Sequence, residues 1–392
     1  MPPDGRFLCR CGWNFQGRKQ VQPVNRVCPS CVSVLCVSPF CDLAYALLLA
    51  KSCSFDKVGE MSFAQYIKEI GRGTKGSHDL GTDEAHQLFG AILDGGVPDL
   101  ELGAILLALR VKTESVPELL GFTQAMSERV HRLKPPQGLG GMRPVVIGSY
   151  NGARRQPNLT PLVALLLQRM GLPVLVHGTL DGQGRVASAY IFRELGILPC
   201  VTLAQAQTAM DTDKLAFVPT AVLAPGLANL LSLRSRLGVR NSGHTVAKLI
   251  DPFGGGSGGA LKLVSVTHPE VLLKLHEFFI ATGDTALLMR GTEGEPYANP
   301  RRRPKIEFFR DGAGQVLFEQ EHTPAEQLEQ LEQNTEAKAT AEYIRKLMTG
   351  TAPLPLPIVN LLACCLFGAG YTADFNQAKA IVAVETRSLA AA

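Results

Sequence analysis

Four glycine-bearing loops hold the residues of this chain whose types and spacing favour phosphate chemistry. They read GSYNGARRQPNLTP at 148–161, VHGTLDG at 176–182, LGVRNSGHTVAKLIDP at 237–252 and MRGTEGE at 289–295. Each of the first two loops follows a short apolar run and precedes an apolar helical pattern. Free backbone N–H groups and the positive end of a helix dipole face such a loop, which makes it a general site for anions. The sequence therefore predicts phosphate binding at these loops.

Arginine and lysine side chains accompany the loops and indicate a phosphodiester partner. The planar guanidinium group of arginine fits a phosphate with two parallel hydrogen bonds. Between Asn299 and Lys305 the chain places four cations in five residues, and two prolines stiffen this run, so we expect its charge to be presented to solvent. We predict that the following residues contact the backbone of a nucleic acid: Arg154, Arg155, Arg185, Arg240, Lys248, Arg301, Arg302, Arg303 and Lys305.

The charge of the chain is segregated along its length. The formal net charge at pH 7 is +4. Residues 129–310 contain 22 lysines and arginines against 11 acidic residues, whereas residues 61–128 and 311–392 each contain 5 against 10. A basic middle of this size indicates a polyanionic partner or a phosphate site.

The elements that must position these loops begin at Met61. Apolar residues recur with helical spacing at 61–70, 83–93 and 97–112, and Ser115 is a suitable N-cap for a fourth helix at 115–133. We therefore predict an all-helical domain over residues 61–133.

From residue 134 the pattern changes to alternating strands and helices, and from Thr323 the tail again has a helical pattern. Parallel strands are predicted at 144–150, 172–178, 214–219, 261–267 and 286–291, with KIEFFR and QVLFEQ as an antiparallel addition. Such alternation implies ligand loops at the carboxyl ends of parallel strands. The predicted fold class is α/β, with a small all-helical N-terminal domain and a larger α/β domain at 134–392 that has a mostly parallel central sheet.

Taken in order, the four loops resemble the four signature regions of anthranilate phosphoribosyltransferase, a glycosyltransferase family 3 enzyme. The resemblance covers essentially all of residues 61–392. It is nearest to the YbiB-type, TrpD-like branch of that family, which is associated with nucleic-acid binding rather than with tryptophan biosynthesis. The resemblance also implies a homodimer formed through the helical domain.

The first two loops keep the ends of the family pattern and lose its middle. Where the enzymes read GTGGD and continue to FN, Gly148 and Asn158 keep the ends, while Gly152 stands in place of the aspartate. The enzymes' second motif, KHGN, is VHGT here, so its lysine and asparagine are absent. The resemblance leaves a residual phosphate loop composed of Gly148, Ser149, Asn151, Asn158, Thr160, His177 and Gly178. We expect His177 to be a packed loop histidine rather than a catalytic base.

The fourth loop lacks the adjacent acidic pair that the family's DGxDE motif provides for Mg²⁺. This chain has Glu293 and Glu295 separated by Gly294 and followed by Pro296. Magnesium is held by carboxylates and by substrate phosphates. Because the pair and the aspartate of the first loop are both missing, we expect no metal ion, no cofactor and no catalytic residue at these loops.

The predicted function is therefore binding of nucleic acid without sequence specificity. Contacts to phosphate carry no direct base information, and their strength comes largely from counterion release. The alternative is a glycosyltransferase family 3 enzyme, either a phosphoribosyltransferase or a nucleoside phosphorylase, with an unusual acceptor. A third hypothesis is a scaffold whose basic face docks an acidic protein. No apolar run approaches the length of a membrane span and no secretory pattern is present, so we expect a cytoplasmic protein that does not contact membranes.

Two aromatic side chains lie inside the candidate loops, and two interpretations of them remain open. Tyr150 and Tyr297 either stack on bases, which would add about 1–3 kcal/mol per base, or pack beneath the loops.

The first 60 residues contain seven of the ten cysteines, which makes this segment compositionally distinct. Cys9 and Cys11, followed by Cys28 and Cys31, loosely resemble a zinc ribbon, but the first pair is one residue too close for tetrahedral zinc. We predict that residues 1–60 are a cysteine-rich leader outside the fold, for which an over-extended start is one explanation, and keep a zinc ribbon as the alternative.

Overall fold

The computed structural model describes residues 62–73, 75–255, 258–322 and 332–387, and four helices open the described chain. These are α1 (Phe63–Ile70), α2 (Thr82–Leu93), α3 (Asp99–Lys112) and α4 (Val116–Ser127). Ser115 caps α4 as predicted, because its hydroxyl accepts a hydrogen bond from the N–H of Glu118. The predicted cysteine-rich leader lies outside the described residues.

Helix α4 ends six residues before the predicted boundary at 133. The backbone N–H of His131 donates to the carbonyl of Leu223, and that of Leu133 donates to Pro252. These bonds to distant segments replace the bonds that would continue the helix. Tertiary contacts therefore set this boundary, which local periodicity does not reveal.

One seven-stranded sheet forms the centre of the fold, in the strand order β3-β2-β1-β4-β5-β6-β7. Its strands are β1 (Val145–Ser149), β2 (Val174–Gly178), β3 (Leu215–Pro219), β4 (Leu261–Val266), β5 (Ala286–Arg290), β6 (Ile306–Arg310) and β7 (Ala313–Phe318). Strands β1 to β5 pair in parallel, and β6 and β7 are antiparallel additions. The predicted fold class, with a mostly parallel sheet after a helical segment, is confirmed.

Eleven further α-helices connect or follow the strands in the described ranges. They are α5 (Thr160–Arg169), α6 (Ser188–Glu194), α7 (Leu203–Thr212), α8 (Thr220–Leu223), α9 (Pro225–Ser232), α10 (Arg234–Leu237), α11 (Gly243–Val246), α12 (Pro269–Thr282), α13 (Ala337–Thr349), α14 (Leu356–Gly368) and α15 (Phe375–Thr386). Helices α13 to α15 form the predicted helical tail. No helix in these ranges combines the length and the apolar character that crossing a membrane requires.

The core is divided by the sheet, because successive side chains of a strand point to opposite faces. Val145 and Ile147 join a cluster with α5 and α14 on one face. Val146 between them joins the cluster that contains the buried residues of α1 to α4. The helical layer thus packs against one face of the sheet and shares its core.

A glycine permits the closest helix contact in that layer. A Cβ atom at Gly121 of α4 would lie 2.3 Å from the carbonyl oxygen of Thr82 at the start of α2. Beside it, Phe89 and Phe122 stack with ring centroids 4.6 Å apart. Only glycine allows the two backbones to approach this closely.

Candidate functional site

Two neighbouring parallel strands bring the first two glycine-bearing loops together. In the register of β1 and β2, Gly148 lies opposite His177 and Ser149 lies opposite Gly178. Beyond the strand ends, Ala153 and Val186 form an isolated bridge between the loops. The predicted phosphate-loop residues therefore meet at the carboxyl edge of the sheet, as the alternating pattern implied.

Glu295 occupies this loop with its carboxylate. The side chain is fully buried, and it accepts hydrogen bonds from the hydroxyls of Ser149 at 2.5 Å and Thr160 at 3.0 Å. It also accepts from the N–H groups of Asn151 and Gly152, both at 2.7 Å. Gly152 removes the aspartate of the family pattern from this stretch of sequence, but a carboxylate from a distant part of the chain lies at the same loop.

Glu293 extends the same arrangement along the loop. Its Oε1 atom accepts hydrogen bonds from the N–H groups of Arg154 at 3.2 Å, Arg155 at 2.8 Å and Gln156 at 3.1 Å. The guanidinium group of Arg185 lies 3.5 Å from its Oε2 atom. Two carboxylates from one short loop thus satisfy the backbone donors that a phosphate would use.

The acidic side chains do not fit a magnesium site. The Glu293 and Glu295 oxygens accept bonds from N–H and hydroxyl groups, so they are turned toward the loop rather than toward a shared cation position. In the described ranges no group of three or more histidine, cysteine, aspartate or glutamate residues could hold a metal ion. Mg²⁺ needs carboxylates free to coordinate it together with substrate phosphates.

His177 and Tyr150 form a buried polar contact under the loop. The Tyr150 hydroxyl is 2.6 Å from His177 Nδ1, and the hydroxyl of Thr220 donates to it at 3.3 Å. Burial lowers the pKa of His177 to about 3 and raises the pKa of the Tyr150 hydroxyl. His177 is therefore a neutral, packed histidine near pH 7.

Neither tyrosine of the candidate loops is available to stack on a base. Tyr150 is 6% exposed and Tyr297 is fully buried. The Tyr297 hydroxyl donates to the carbonyl of Pro157 at 2.9 Å. Asn158 is also internal, because its side chain donates to Ser188 Oγ and accepts from the N–H of Thr160. Of the two interpretations left open by the sequence, packing beneath the loops is confirmed.

Lys248 does not belong to an exposed basic surface, and its assignment as a nucleic-acid contact was wrong. The side chain is buried, and its ammonium group donates to the carbonyls of Ser265 at 2.7 Å and Gly294 at 2.9 Å. Burial lowers its pKa to about 8, while the carboxylate of Glu295 opposes that shift. The lysine braces the loop that carries the two glutamates.

The cations at 303 and 305 are partly neutralised within the chain, contrary to the expectation that the whole run is presented. The Arg303 guanidinium lies 4.5 Å from the ring centroid of Phe318, and its Nη1 is 3.5 Å from Glu321. Lys305 donates to Glu307 at 2.9 Å. Arg303 is half-buried because a planar guanidinium packs well on an aromatic face.

Four other predicted contact residues are exposed at the loops. Arg154 and Arg155 follow β1, and Arg301 and Arg302 follow β5. Arg155 and Arg301 line the same small cavity. None of these four side chains forms a hydrogen bond or ion pair with another residue in the described ranges.

A second group of arginines lies beside the buried glutamate. Burial is the main cause that lowers the pKa of Arg240 to about 10, and the nearby charges of Arg234 and Arg185 lower it further. The carboxylate of Glu295 opposes this shift, and Arg110 adds a smaller lowering effect. The pKa of Arg234 is lowered by burial and by Arg185. Arg240 thus lies within electrostatic reach of three other arginines, and Glu295 offsets part of their charge.

Arg110 and Arg234 were not predicted from the sequence, since both lie outside the glycine-bearing loops. Arg110 is in the last turn of α3 in the helical layer, and Arg234 opens the short helix α10. The RSR cluster immediately before the third loop was an available signal for Arg234. No local pattern indicates that α3 reaches the site.

Known proteins share the sequence and the architecture of this chain. Residues 64–130 match the family described as the helical bundle domain of a glycosyl transferase family. YbiB from Escherichia coli strain K12 is 44% identical over 322 residues, an alignment that covers 82% of this chain and 99% of that protein. The chain belongs to the YbiB/TrpD-like family.

The enzymes of the wider family are similar in sequence and in fold. Anthranilate phosphoribosyltransferase from Persephonella marina is 26% identical over 239 residues, which covers 59% of this chain and 65% of that enzyme. The structure of anthranilate phosphoribosyltransferase (TrpD) from Thermus thermophilus matches with a TM-score of 0.64 at 21% identity, covering 83% of this chain and 94% of that one. This YbiB/TrpD-like chain thus has the glycosyltransferase family 3 fold, with carboxylates in its phosphate loop.

Proposed function

We propose that this chain binds nucleic acid through the phosphate backbone without reading sequence. The observation that carries the proposal is a series of neighbouring arginines along the carboxyl edge of the sheet, which we call the arginine track. The track comprises Arg110, Arg154, Arg155, Arg185, Arg234, Arg240, Arg301 and Arg302.

Shared neighbours and electrostatic interactions link five members of the track. Arg301 and Arg155 line one cavity. Arg155 donates its N–H to Glu293, and the guanidinium group of Arg185 lies 3.5 Å from the same carboxylate. Arg185 in turn acts electrostatically on Arg234 and Arg240. These five cations therefore form one series rather than isolated clusters.

The chemistry of the track favours a polyanion over a single small anion. Like charges held close together raise the potential at the surface, and a chain of phosphates relieves that repulsion while releasing counterions. Arginine suits this role because its fork of donors remains charged and fits phosphate geometry. Exposed aromatic rings are absent from the four glycine-bearing loops as the structure describes them, so base stacking at these loops adds little to the affinity.

The test is a salt titration of binding to a labelled single strand and to the matching duplex. The logarithm of the binding constant should fall linearly with the logarithm of the salt concentration, and each duplex phosphate contact contributes about 0.9 to the magnitude of that slope. Arg301→Ala should reduce the slope by about one. Lys214→Ala is the matched control, because Lys214 is exposed just before β3 at the opposite edge of the sheet. Binding that is insensitive to salt would refute the proposal.

A glycosyltransferase family 3 enzyme is the second candidate function, favoured by the 26% identity to an anthranilate phosphoribosyltransferase. Release of pyrophosphate from phosphoribosyl pyrophosphate in the presence of Mg²⁺ and an acceptor panel would support it. Asn158→Ala should abolish that turnover if the loop is catalytic. The carboxylates of Glu293 and Glu295 in the loop argue against this candidate.

We also propose a homodimer formed through α3. This helix exposes three large apolar side chains, with Leu100 82%, Leu107 44% and Val111 62% exposed. Their spacing of seven and then four residues puts them on one face. An apolar stripe of this kind on a helix surface is typical of a protein interface.

A further inference from the structure

The backbone of the loop that carries Glu293 and Glu295 is bonded by side chains from other parts of the chain. Gly294 has φ +86°, and a Cβ atom there would lie 1.6 Å from Asn151 Nδ2. The ammonium group of Lys248 donates to the Gly294 carbonyl at 2.9 Å. Asn151 Nδ2 donates to the Glu293 carbonyl at 3.3 Å. The backbone between Glu293 and Glu295 therefore contacts Asn151 of the phosphate loop directly.

The contacts of the two carboxylates reproduce those that an oxyanion makes. Charge-assisted hydrogen bonds from N–H and hydroxyl groups are short and strong whether the acceptor is a carboxylate or a phosphate. Glu295 receives four such bonds from the inner part of the loop. Glu293 receives three from the outer part. A phosphate group and these carboxylates cannot use the same donors at once.

Displacement of the carboxylates by a free anion is unfavourable. An incoming phosphate would have to expel Glu295 from a site where the side chain is fully buried. The expelled carboxylate would lose its four hydrogen bonds to the loop, and the bond from Lys248 to the Gly294 carbonyl opposes movement of the adjacent backbone. The glutamate carboxylates are part of the chain, so they form these contacts without the loss of translational freedom that a free phosphate incurs on binding.

We propose that Glu293 and Glu295 are specificity-determining residues that act as the resident anions of the phosphate loop and exclude free pyrophosphate from it. Removal of these carboxylates leaves backbone N–H groups and the hydroxyls of Ser149 and Thr160 open to an external anion, with the charge of Arg185 nearby. The inference concerns the inner loop alone and does not depend on nucleic-acid binding.

The experiment titrates the full-length protein with inorganic pyrophosphate by calorimetry, without Mg²⁺, and follows thermal unfolding at the same concentrations. The variant is Glu293→Ala with Glu295→Ala. The control is Glu270→Ala with Glu277→Ala, which makes the same change in net charge at two exposed positions of α12. The double loop variant should bind pyrophosphate at least about tenfold more tightly than the wild type and the control, a difference that corresponds to about 1.4 kcal/mol.

Several outcomes would overturn the proposal. Wild-type protein that binds pyrophosphate as tightly as the double variant would do so, as would a folded double variant that shows no gain over the control. If the double variant does not fold, Glu293→Ala alone frees the three N–H groups of the outer loop while Glu295 stays in place. It should bind more tightly than wild type, and an unchanged affinity would equally overturn the proposal.

A DNA titration of the same proteins separates this inference from the proposed function. The exposed arginines remain in the loop variant, so DNA affinity should be kept or increased. Absence of DNA binding in every protein would count against the arginine track while leaving the pyrophosphate result intact. If only the loop variant gains pyrophosphate binding, that result supports exclusion of free anions by Glu293 and Glu295, whether or not the protein binds DNA.

Discussion

The Tyr150 hydroxyl contacts buried polar groups, so its removal should lower the stability of the folded protein. Tyr150→Phe leaves His177 Nδ1 and the Thr220 hydroxyl without this partner. A buried polar group left unpaired costs about 1–3 kcal/mol. We expect the free energy of unfolding in urea to fall by that amount. Tyr371→Phe, at a position 40% exposed, is the control and should change it by less than about 0.5 kcal/mol.

Two buried histidines should make the protein less stable in mild acid. The folded-state pKa of His177 and that of His244 are each lowered to about 3, first by burial. An unfolded histidine takes up a proton near pH 6.5, so the unfolded state gains protons as pH falls through 6.5 and the folded state does not until about pH 3. The unfolding free energy should therefore decrease across this window.

The measurement is urea unfolding at a series of pH values between 6.5 and 4. Each neutral buried histidine adds up to about 1.4 kcal/mol per pH unit to the dependence. His177→Asn should weaken the dependence by that amount whatever its effect at pH 7. His78→Asn, at an exposed histidine, is the control. A slope that His177→Asn leaves unchanged would contradict the assignment.

At the residue scale, sequence predicted the members of the phosphate loop but not its occupant. The spacing of Gly148 and Asn158 marks the loop within one stretch of chain. The contact of Glu295 with Asn151 spans 144 residues and depends on where a carboxylate points. In the sequence, Glu295 only differs from the DGxDE pattern of the family. That difference does not indicate that its carboxylate accepts hydrogen bonds from the first loop.

At the level of elements, the contact between α2 and α4 depends on the absence of a side chain at Gly121. Gly121→Ala would place a methyl group 2.3 Å from the Thr82 carbonyl, so the helices must separate and the Phe89–Phe122 stack must shift. Overpacking of this kind costs about 1–3 kcal/mol. Gly103→Ala in α3, where nothing lies within 4 Å, is the matched control and should stabilise by about 0.5–1 kcal/mol. Equal effects of the two changes in thermal unfolding would contradict this account.

Strands were more predictable than helix ends for a physical reason. The five parallel strands are buried runs of β-branched and other apolar residues bounded by glycine or polar loops, so their ends fall within two residues of the predicted ones. The end of α4 is set by hydrogen bonds to residues near 223 and 252. Arg303 likewise leaves solvent because Phe318 of β7 supplies an aromatic face. Such partners are distant in sequence and have no local signature.

At the scale of the whole molecule, the basic character of residues 129–310 is distributed over two environments. Lys248 and Arg303 support the interior and the edge of the fold. Arg154, Arg155, Arg301 and Arg302 stay exposed. Net charge along the chain therefore overstates the number of cations that the surface presents. Arg110 adds a positive charge near Arg240 although it belongs to the helical segment 61–128, whose net charge is negative.

Dimer formation through α3 makes a prediction about both assembly and binding. Leu107→Gln with Val111→Gln removes two apolar side chains of the exposed stripe without adding charge beside Arg110, so we expect a monomer in sedimentation equilibrium where the wild type is a dimer. Leu273→Gln, at a position 69% exposed on α12, is the control and should leave the dimer intact. Two tracks in one particle increase the effective concentration of the second site on a long strand. The monomeric variant should therefore bind a long DNA strand at least about tenfold more weakly than the wild type, while both bind a strand that covers one track equally.

A wild-type protein that sediments as a monomer would contradict the proposed interface, and equal binding of long DNA by the two forms would show that a single track carries the affinity.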